Sequence, residues 1–514
     1  MSTPSPWRDP RYRFDLWLLV GAGAVTLIFC SQVALGLRLG LSEWSWPYGP
    51  QPGAAFWLPL FPLIALLAIA WSRPNLGSRM HRTAWLIGLV LASFAMQLAT
   101  FGMQPRNRAS LGATWMAGAV VLSPVATSYF GEAIKADDLT ELMEQFPQRL
   151  ASMPYHARTH PPGPIAFFWL VNQAVQDVPG IEPAGRWLVE SISGLSLSDF
   201  ANRYQRMFGR HYGGVVTATD TLSAILAAFL MSFLGSLSII PVFYLTRDLL
   251  GGRAAMWCCI LWATIPSFAL FAPEMDQLVL LWAMLSLWLL RDAWRSGRAW
   301  LALIGGVTYG LGLFTSLGLL CLIPMLLIWA WLETRAVGAR HTMPPLKPLF
   351  WGAIGAIGLF VVLYLTLRFN MIATIAQGLF AHRAEITERF PRPYWRWVGF
   401  NLVDFAIFLG LPLAIWTVRC AIGLRRSRDS AAAKLRPLLL SWLVTVLLLD
   451  MSGVVRAETG RIWLFLMPPL VLLCATRLAS WDERAGRWGM ALLLSAQVLQ
   501  IIAFQVVLRL FVLF

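Results

Sequence analysis

Apolar residues fall in long blocks along the chain, set apart by short polar stretches. Segments 16–37, 222–245 and 490–508 are examples of such predominantly apolar runs. Each has the roughly 17 to 25 residues that carry an α-helix through a bilayer core. The pattern predicts an all-α polytopic integral membrane protein with about 11 to 13 transmembrane helices. Two apolar segments, 113–125 and 161–175, are short for a crossing. They are expected as re-entrant or juxtamembrane helices on the extracytoplasmic side, because every strongly basic loop then falls on one face.

Basic residues orient the chain. With Arg8, Arg11 and Arg13 in the cytoplasm, the cytoplasmic loops are 73–82, 246–253, 291–298, 335–347, 419–436 and 477–487. Arg419, Arg425, Arg426, Arg428, Lys434 and Arg436 make 419–436 the most strongly retained of them. Outside are 38–53, the long stretch 104–218, the turn around Glu274, and loops 369–396 and 452–460. Arg106, Arg158, Arg186, Arg203, Arg206 and Arg210 fall in the long stretch, and long loops are exempt from the charge rule. Residues 1–83 are expected as N-terminal transmembrane helices, and 84–514 as the domain that carries the chemistry.

Composition agrees with the pattern. The chain is 58% hydrophobic and 13% charged, against roughly a quarter charged in soluble domains, and its mean hydropathy is +0.63. The net charge of +15 is spread over loops and forms no basic stripe, so nucleic acid is not an expected partner. Many of the 26 tryptophans stand near the ends of apolar runs, as interfacial belts do. The six cysteines lie in or beside apolar runs, which indicates neither a disulfide framework nor a zinc site. The first apolar run lacks a small-residue cleavage pattern and is expected to be retained as a helix. No repeat suggests the inverted halves of a transporter.

The outer loops carry the candidate chemistry. Tyr155-His156-Ala157-Arg158-Thr159-His160-Pro161-Pro162-Gly163-Pro164 sets two histidines and an arginine before a proline-started apolar helix. Arg158 and His160 would sit at the membrane surface as donors for a lipid phosphate; a snorkelling interfacial cluster is the plainer alternative. Tyr129 and Glu132 stand just upstream, followed by Asp137, Asp138, Glu141 and Glu144. Glu132 or Asp137 would either serve as a general base or be solvated like their neighbours, whereas the spacing of Asp138, Glu141 and Glu144 predicts the solvated face of a short helix. Glu274 and Asp276 form a second acid pair, functional or favoured by a helix N-terminus.

The short outer turn Arg456-Ala457-Glu458-Thr459-Gly460-Arg461 carries two arginines against the positive-inside trend. They would either bind an anion such as phosphate or pair with Glu458. His382, Arg383, Glu385, Arg389, Arg392, Tyr394 and Arg396 are expected in a solvated loop with interfacial aromatics.

These residues resemble the GT-C superfamily of membrane glycosyltransferases, in particular bacterial relatives of protein O-mannosyltransferases and aminoarabinose transferases. Thr159-His160-Pro161-Pro162-Gly163 stands where that family has a Thr-Lys-Pro-Pro-Leu type motif closing its first external loop. Residues 241–253 look like the family's helix ending in a basic cytoplasmic turn, and Asp276 matches the acid of its next external loop. The resemblance covers roughly 84–330. His160 replaces a lysine, and Val125 and Ala126 stand where an acidic pair is usual.

The resemblance implies a GT-C-like, multi-pass enzyme of the cell membrane with its N-terminus in the cytoplasm. It would transfer a sugar, with inversion, from a polyprenyl-phosphate donor to a hydroxyl of a glycan, lipid or protein acceptor on the extracytoplasmic face. Glu132, Asp137 and Asp276 are then the candidate bases. Tyr129, Arg158, His160, Glu274, Arg456, Glu458 and Arg461 are the candidate donor-phosphate and substrate contacts. Magnesium or manganese on Asp276 and a first-loop acid suits carboxylate chemistry, though no spacing demands a metal. The competing expectation is a transporter or flippase for a lipid-linked or anionic solute, which would bury ionisable groups at the midplane. A non-catalytic assembly subunit would need no converging acids and cations.

Overall fold

The computed structural model describes residues 5–31, 55–72, 74–103, 112–212, 215–335, 344, 346–384, 392–426 and 430–508. The expected outer loop 38–53, most of loop 335–347, and Arg106, Glu385, Arg389 and Arg428 lie outside them.

The chain is helical, with no β-strand among the described residues. It begins with α1 (Pro10–Cys30), α2 (Leu60–Trp71) and α3 (Arg79–Gly102). A run of shorter helices follows: α4 (Ala113–Leu122), α5 (Tyr129–Ile134), α6 (Leu139–Arg149), α7 (Tyr155–Thr159), α8 (Gly163–Asp177), α9 (Ile181–Ser193) and α10 (Leu197–Tyr212). Next come α11 (Ala218–Ser236), α12 (Ile239–Leu250), α13 (Gly252–Trp262), α14 (Pro266–Leu270), α15 (Asp276–Ser296) and α16 (Ala299–Thr315). The last third holds α17 (Leu322–Arg335), α18 (Leu346–Leu367), α19 (Met371–Ala384), α20 (Tyr394–Arg426), α21 (Ser430–Met451), α22 (Thr459–Ile462), α23 (Pro468–Ala479) and α24 (Glu483–Val507).

Seven helical stretches among the described residues are long and apolar enough to cross a membrane: Pro10–Cys30, Arg79–Gly102, Ala218–Leu250, Leu317–Arg335, Leu346–Leu367, Tyr394–Arg425 and Glu483–Val507. The chain is a multi-pass membrane protein. Other apolar segments are shorter or interrupted. Leu60–Trp71, Ala113–Leu122, Ala299–Thr315 and Leu464–Ala479 are short, Pro266 restarts the helix after α13 as α14, and α15 carries Asp276, Arg291, Asp292 and Arg295. The short segment at 113 forms α4, buried along most of its length and packed on α3 and α11. Tyr204 of α10 stacks on Trp115 at 4.5 Å and donates to its carbonyl at 2.8 Å, fixing α10 to α4. The acidic face read from spacing is that of α6: Asp138 caps Thr140 N at 2.9 Å, and Glu141 pairs with Arg149 at 3.4 Å.

Two features show how the bundle satisfies backbone and charge without water. Inside α20, Gly410 takes φ +105 and Pro412 follows, which breaks the helical ladder. Gln500 of α24 donates to Ile407 O at 2.7 Å and accepts from Leu411 N at 2.7 Å, while Gln497 donates to Leu409 O at 3.0 Å. Those amides occupy the partners that the broken ladder releases. Asp15 of α1, 1% exposed, accepts from Arg419 of α20 at 2.7 Å and Arg477 of α23 at 3.0 Å. That acid ties three helices at one end of the bundle.

At that same class of loops, Asp248 meets Arg295 at 3.6 Å, and Arg291 meets Glu333 at 3.6 Å. The segments expected on the opposite face, from 104–218, 274–276, 369–396 and 452–460, converge on a single cavity. Among the described residues Arg291, Arg295 and Arg419 stand toward the ends of α15 and α20 away from that cavity.

Helices α16 and α18 pack backbone to backbone. A Cβ on Gly306 would strike the Gly352 carbonyl, and one on Gly355 would strike the Leu303 carbonyl. Small residues at such crossings replace the hydrophobic drive that lipid cannot supply. Gly306→Val is expected to destabilise the detergent-solubilised protein by about 1–3 kcal/mol, read as a lowered melting temperature. Gly358→Ala, whose Cβ would meet nothing within 4 Å, serves as the matched control. Equal melting of both variants would contradict the close crossing.

Candidate functional site

A cavity of about 400 Å³ is lined by helix ends and connecting segments. Its polar wall holds Tyr129, Tyr155, His156, His160, Glu274, Asp276, His382, Arg392, Arg456, Glu458 and Arg461. Leu317, Leu320, Pro324, Leu379, Leu448 and Leu449 form an apolar wall.

Arg461 stands at the centre of the charged groups, with a side chain 14% exposed. It pairs directly with Glu274, meets Glu458 at 2.7 Å, and has its Nε 3.5 Å from Asp276. Glu274 sits in the turn before α15, and Asp276 is the first residue of that helix, at its mouth on the cavity. Burial, together with the charge of Glu458, pushes the Asp276 carboxyl up to about 7. Burial also raises the Glu458 carboxyl, against the pull of Arg392.

The Arg461 segment is held from below by side chains of a membrane helix. Asn401 of α20 donates to Asp450 at 2.9 Å and to Val455 O at 2.9 Å, and accepts from Ala457 N at 3.1 Å. Asp404, one helical turn on, accepts from Gly460 N at 2.6 Å and Thr459 Oγ1 at 3.2 Å. Between these anchors Ala457 and Glu458 take φ +91 and +60, left-handed values that L side chains adopt rarely. The fixed corner turns Glu458 and Arg461 to the cavity. From outside, Arg392 and Arg456 each donate to the other's carbonyl, and His382 contacts Val454 O.

The histidine segment closes the opposite side. Tyr155 to Thr159 form a single short helix, after which His160 leaves in extended conformation and Pro161 to Pro164 lead into α8. Gly163 is required there: its Cβ would overlap the backbone of Phe314 and Thr315 at the end of α16. The Tyr129 ring lies edge-on to His160 at 5.7 Å. Burial, with Arg461 nearby, depresses His156 to about 3 and His160 to about 4, which favours the neutral imidazole at both. Burial raises the Tyr129 hydroxyl well above its usual value.

Among the expected residues, Tyr129, His160, Glu274, Asp276, Arg456, Glu458 and Arg461 come together at the cavity. Glu132, Asp137 and Arg158 are not among its lining residues. Glu132 pairs with Lys135 at 2.9 Å, and Asp137 is exposed. Of the two alternatives posed for 456–461, the pairing with Glu458 is present at Arg461, which two further acids also engage. His382 and Arg392, expected in a solvated loop, line the cavity. Asn401, Asp404 and Asp450 carried a legible signal, being polar residues inside apolar helices; their partners are distant in sequence.

The carboxylates around Arg461 are already paired with a cation. Glu274, Asp276 and Glu458 all lie within ion-pairing distance of the Arg461 guanidinium, whose charge a dication would have to displace. Among the described residues no group of three or more His, Cys, Asp or Glu side chains is placed to hold a metal.

No protein-family model matches the chain. No curated protein matches it either. Its structure is similar to that of an oligosaccharyltransferase of Archaeoglobus fulgidus, solved as a complex with zinc and sulfate, at a TM-score of 0.42 and 14% identity. The match covers 81% of this chain and 53% of that one. A second structure of that oligosaccharyltransferase, tethered through a disulfide to an acceptor peptide with the NVT sequon, matches at a TM-score of 0.42 and 12% identity. There the match covers 83% of this chain and 56% of that one. The chain thus spans little more than half the length of these structures.

Removing Arg461 would leave Glu274 and Asp276 largely buried without their counter-charge. Arg461→Ala is expected to lower stability by about 3–5 kcal/mol, seen as a depressed melting temperature, and the double variant Arg461→Met with Glu274→Gln is expected to recover part of it. A single variant as stable as the parent would show that Arg461 does not hold the acids.

Proposed function

We propose that this chain is a membrane glycosyltransferase that moves a sugar from a polyprenyl-phosphate donor to an acceptor hydroxyl, with inversion, at the cavity around Asp276. The observation that carries the proposal is the pairing of walls. A carboxylate set for proton transfer near neutral pH shares one cavity with arginines on one side and an apolar surface on the other. An amphiphilic donor with a charged head needs both surfaces.

In this reading Arg392 and Arg456 receive the phosphate, since Arg461 is engaged by three acids. Leu379 and Leu448 line the cavity and are 44% and 54% exposed, which suits an apolar surface offered to a prenyl chain. Asp276 takes the proton from the acceptor hydroxyl as its oxygen bonds to the anomeric carbon. The bond from that carbon to the phosphate oxygen breaks, and its electron pair leaves with the polyprenyl phosphate. The guanidinium groups stabilise that charge as it develops. The strongly basic loops gather at the opposite helix ends, which by the positive-inside rule supports an extracytoplasmic site.

Sugar transfer in reconstituted membranes from a panel of polyprenyl-phosphate hexoses and pentoses tests the proposal. Asp276→Asn is expected to lower kcat by about 10²- to 10⁴-fold. Because the deprotonated carboxylate is the active form, kcat/KM is expected to rise with pH through about 7 and level off above it. Full activity of Asp276→Asn, or a flat profile across this range, would remove Asp276 as the base.

A further inference from the structure

We propose that His160 meets the substrate as a neutral imidazole whose Nε2 accepts a hydrogen bond from a substrate hydroxyl, and that it does not act as a cation for the lipid phosphate. This deepens, and rests on, the glycosyl-transfer reading above.

The two contacts of Nδ1 decide the tautomer. Nδ1 lies 3.0 Å from the carbonyl oxygen of His156 and 3.1 Å from Thr159 Oγ1. A carbonyl only accepts, so the hydrogen is assigned to Nδ1 from this partner. Thr159 Oγ1 is itself 3.1 Å from Tyr155 O, another acceptor, so its hydrogen is directed there and its oxygen is left to accept from Nδ1. Both neighbours therefore call for Nδ1–H. In a neutral ring Nε2 is then a bare lone pair. Among the described residues Nε2 has no hydrogen-bond partner, and the side chain lines the cavity.

The surroundings oppose a second proton. Tyr129 of α5 presents its ring to the imidazole, and His156 of α7, His382 of α19 and Arg461 of α22 bear on it electrostatically among the described residues. None of these is an acid, and the acids nearby face Arg461. Burial and Arg461 together hold His160 at about 4.

A phosphate oxygen brings only acceptors to Nε2, and two lone pairs repel. A hydroxyl brings a donor. His160 thus selects for the polyhydroxylated part of the reaction, either a hydroxyl of the transferred sugar or that of the acceptor. The arginine side of the cavity is left to the phosphate.

Histidine ¹⁵N NMR of the full chain in nanodiscs, with His160→Gln to assign the signal, is expected to show Nδ1 protonated and Nε2 bare at neutral pH. A doubly protonated ring, or hydrogen on Nε2, would overturn the proposal. In the transfer assay glutamine offers a carbonyl oxygen in place of Nε2, whereas lysine offers donors alone. His160→Gln is expected to exceed His160→Lys by about tenfold or more in kcat/KM. The loss in His160→Lys is expected as a raised KM for the donor if the hydroxyl is the sugar's, or for the acceptor if it is the acceptor's. A lysine variant equal to or better than the glutamine variant would sink the idea. Binding of undecaprenyl phosphate in the nanodisc lipid, read by tryptophan fluorescence, is expected to change less than about twofold in His160→Gln. A tenfold loss there that lysine restores would also overturn it. Wild-type protein that transfers no sugar would defeat the glycosyl-transfer reading, and the NMR and binding arms would still decide the role of His160.

Discussion

Arg461 sits among three carboxylates in the largely enclosed end of a hydrophobic bundle, and the rest of the cavity is arranged around that arrangement of charge. A buried guanidinium or carboxylate without its counter-charge is strongly destabilising, so Arg461 compensates Glu274 and Asp276 inside the cavity, while the half-exposed Glu458 meets it from the rim. The balance is uneven. Asp276 has the longest contact, at Nε, and its carboxyl is pushed up by burial and by Glu458. A carboxylate left partly uncompensated in this way has its proton affinity set near neutrality, as a general base needs.

Holding Arg461 in position takes support from inside the membrane helices. Asn401 and Asp404 spend their hydrogen-bonding capacity on the backbone of 455–460, where the chain bends through two left-handed residues. The same helix, α20, is broken at Gly410, and there Gln497 and Gln500 from α24 supply what the ladder lost. Polar side chains in these helices thus serve irregular backbone. This is the use of buried polarity that a solvent without hydrogen bonds permits. At the far end Asp15 joins Arg419 and Arg477, and the two clusters fix α20 at its opposite ends.

The cavity wall is divided in its hydrogen-bonding character. Tyr129, His156 and His160 form a neutral aromatic side in which both imidazoles have one nitrogen bound to a carbonyl. Arg392 and Arg456 form a cationic side, clasped through each other's backbone. Between them lie the acids, and the apolar residues of 317–324 and 448–449 complete the perimeter. In the glycosyl-transfer reading proposed above, such a division orients the amphiphilic donor by chemistry rather than shape.

The all-helical membrane fold was legible in the sequence, because run length against bilayer thickness is a local property. The acidic face of α6 was legible for the same reason, as were the polar groups Tyr129, His160, Glu274, Asp276 and Arg461 that come to line one cavity. Which acid faces the cavity was not. Glu132, Asp137 and Asp276 look alike in one dimension, and tertiary packing alone sends Glu132 to Lys135 and Asp276 to Arg461. His160 could equally be a cation or an acceptor until the fold set His156 O against its Nδ1 and buried it beside Arg461. Sequence determined which elements form and which end carries the polar groups, since those follow from each segment's own solvation. Tertiary structure decided the pairing and protonation of those groups, since both depend on the charge and burial contributed by distant segments.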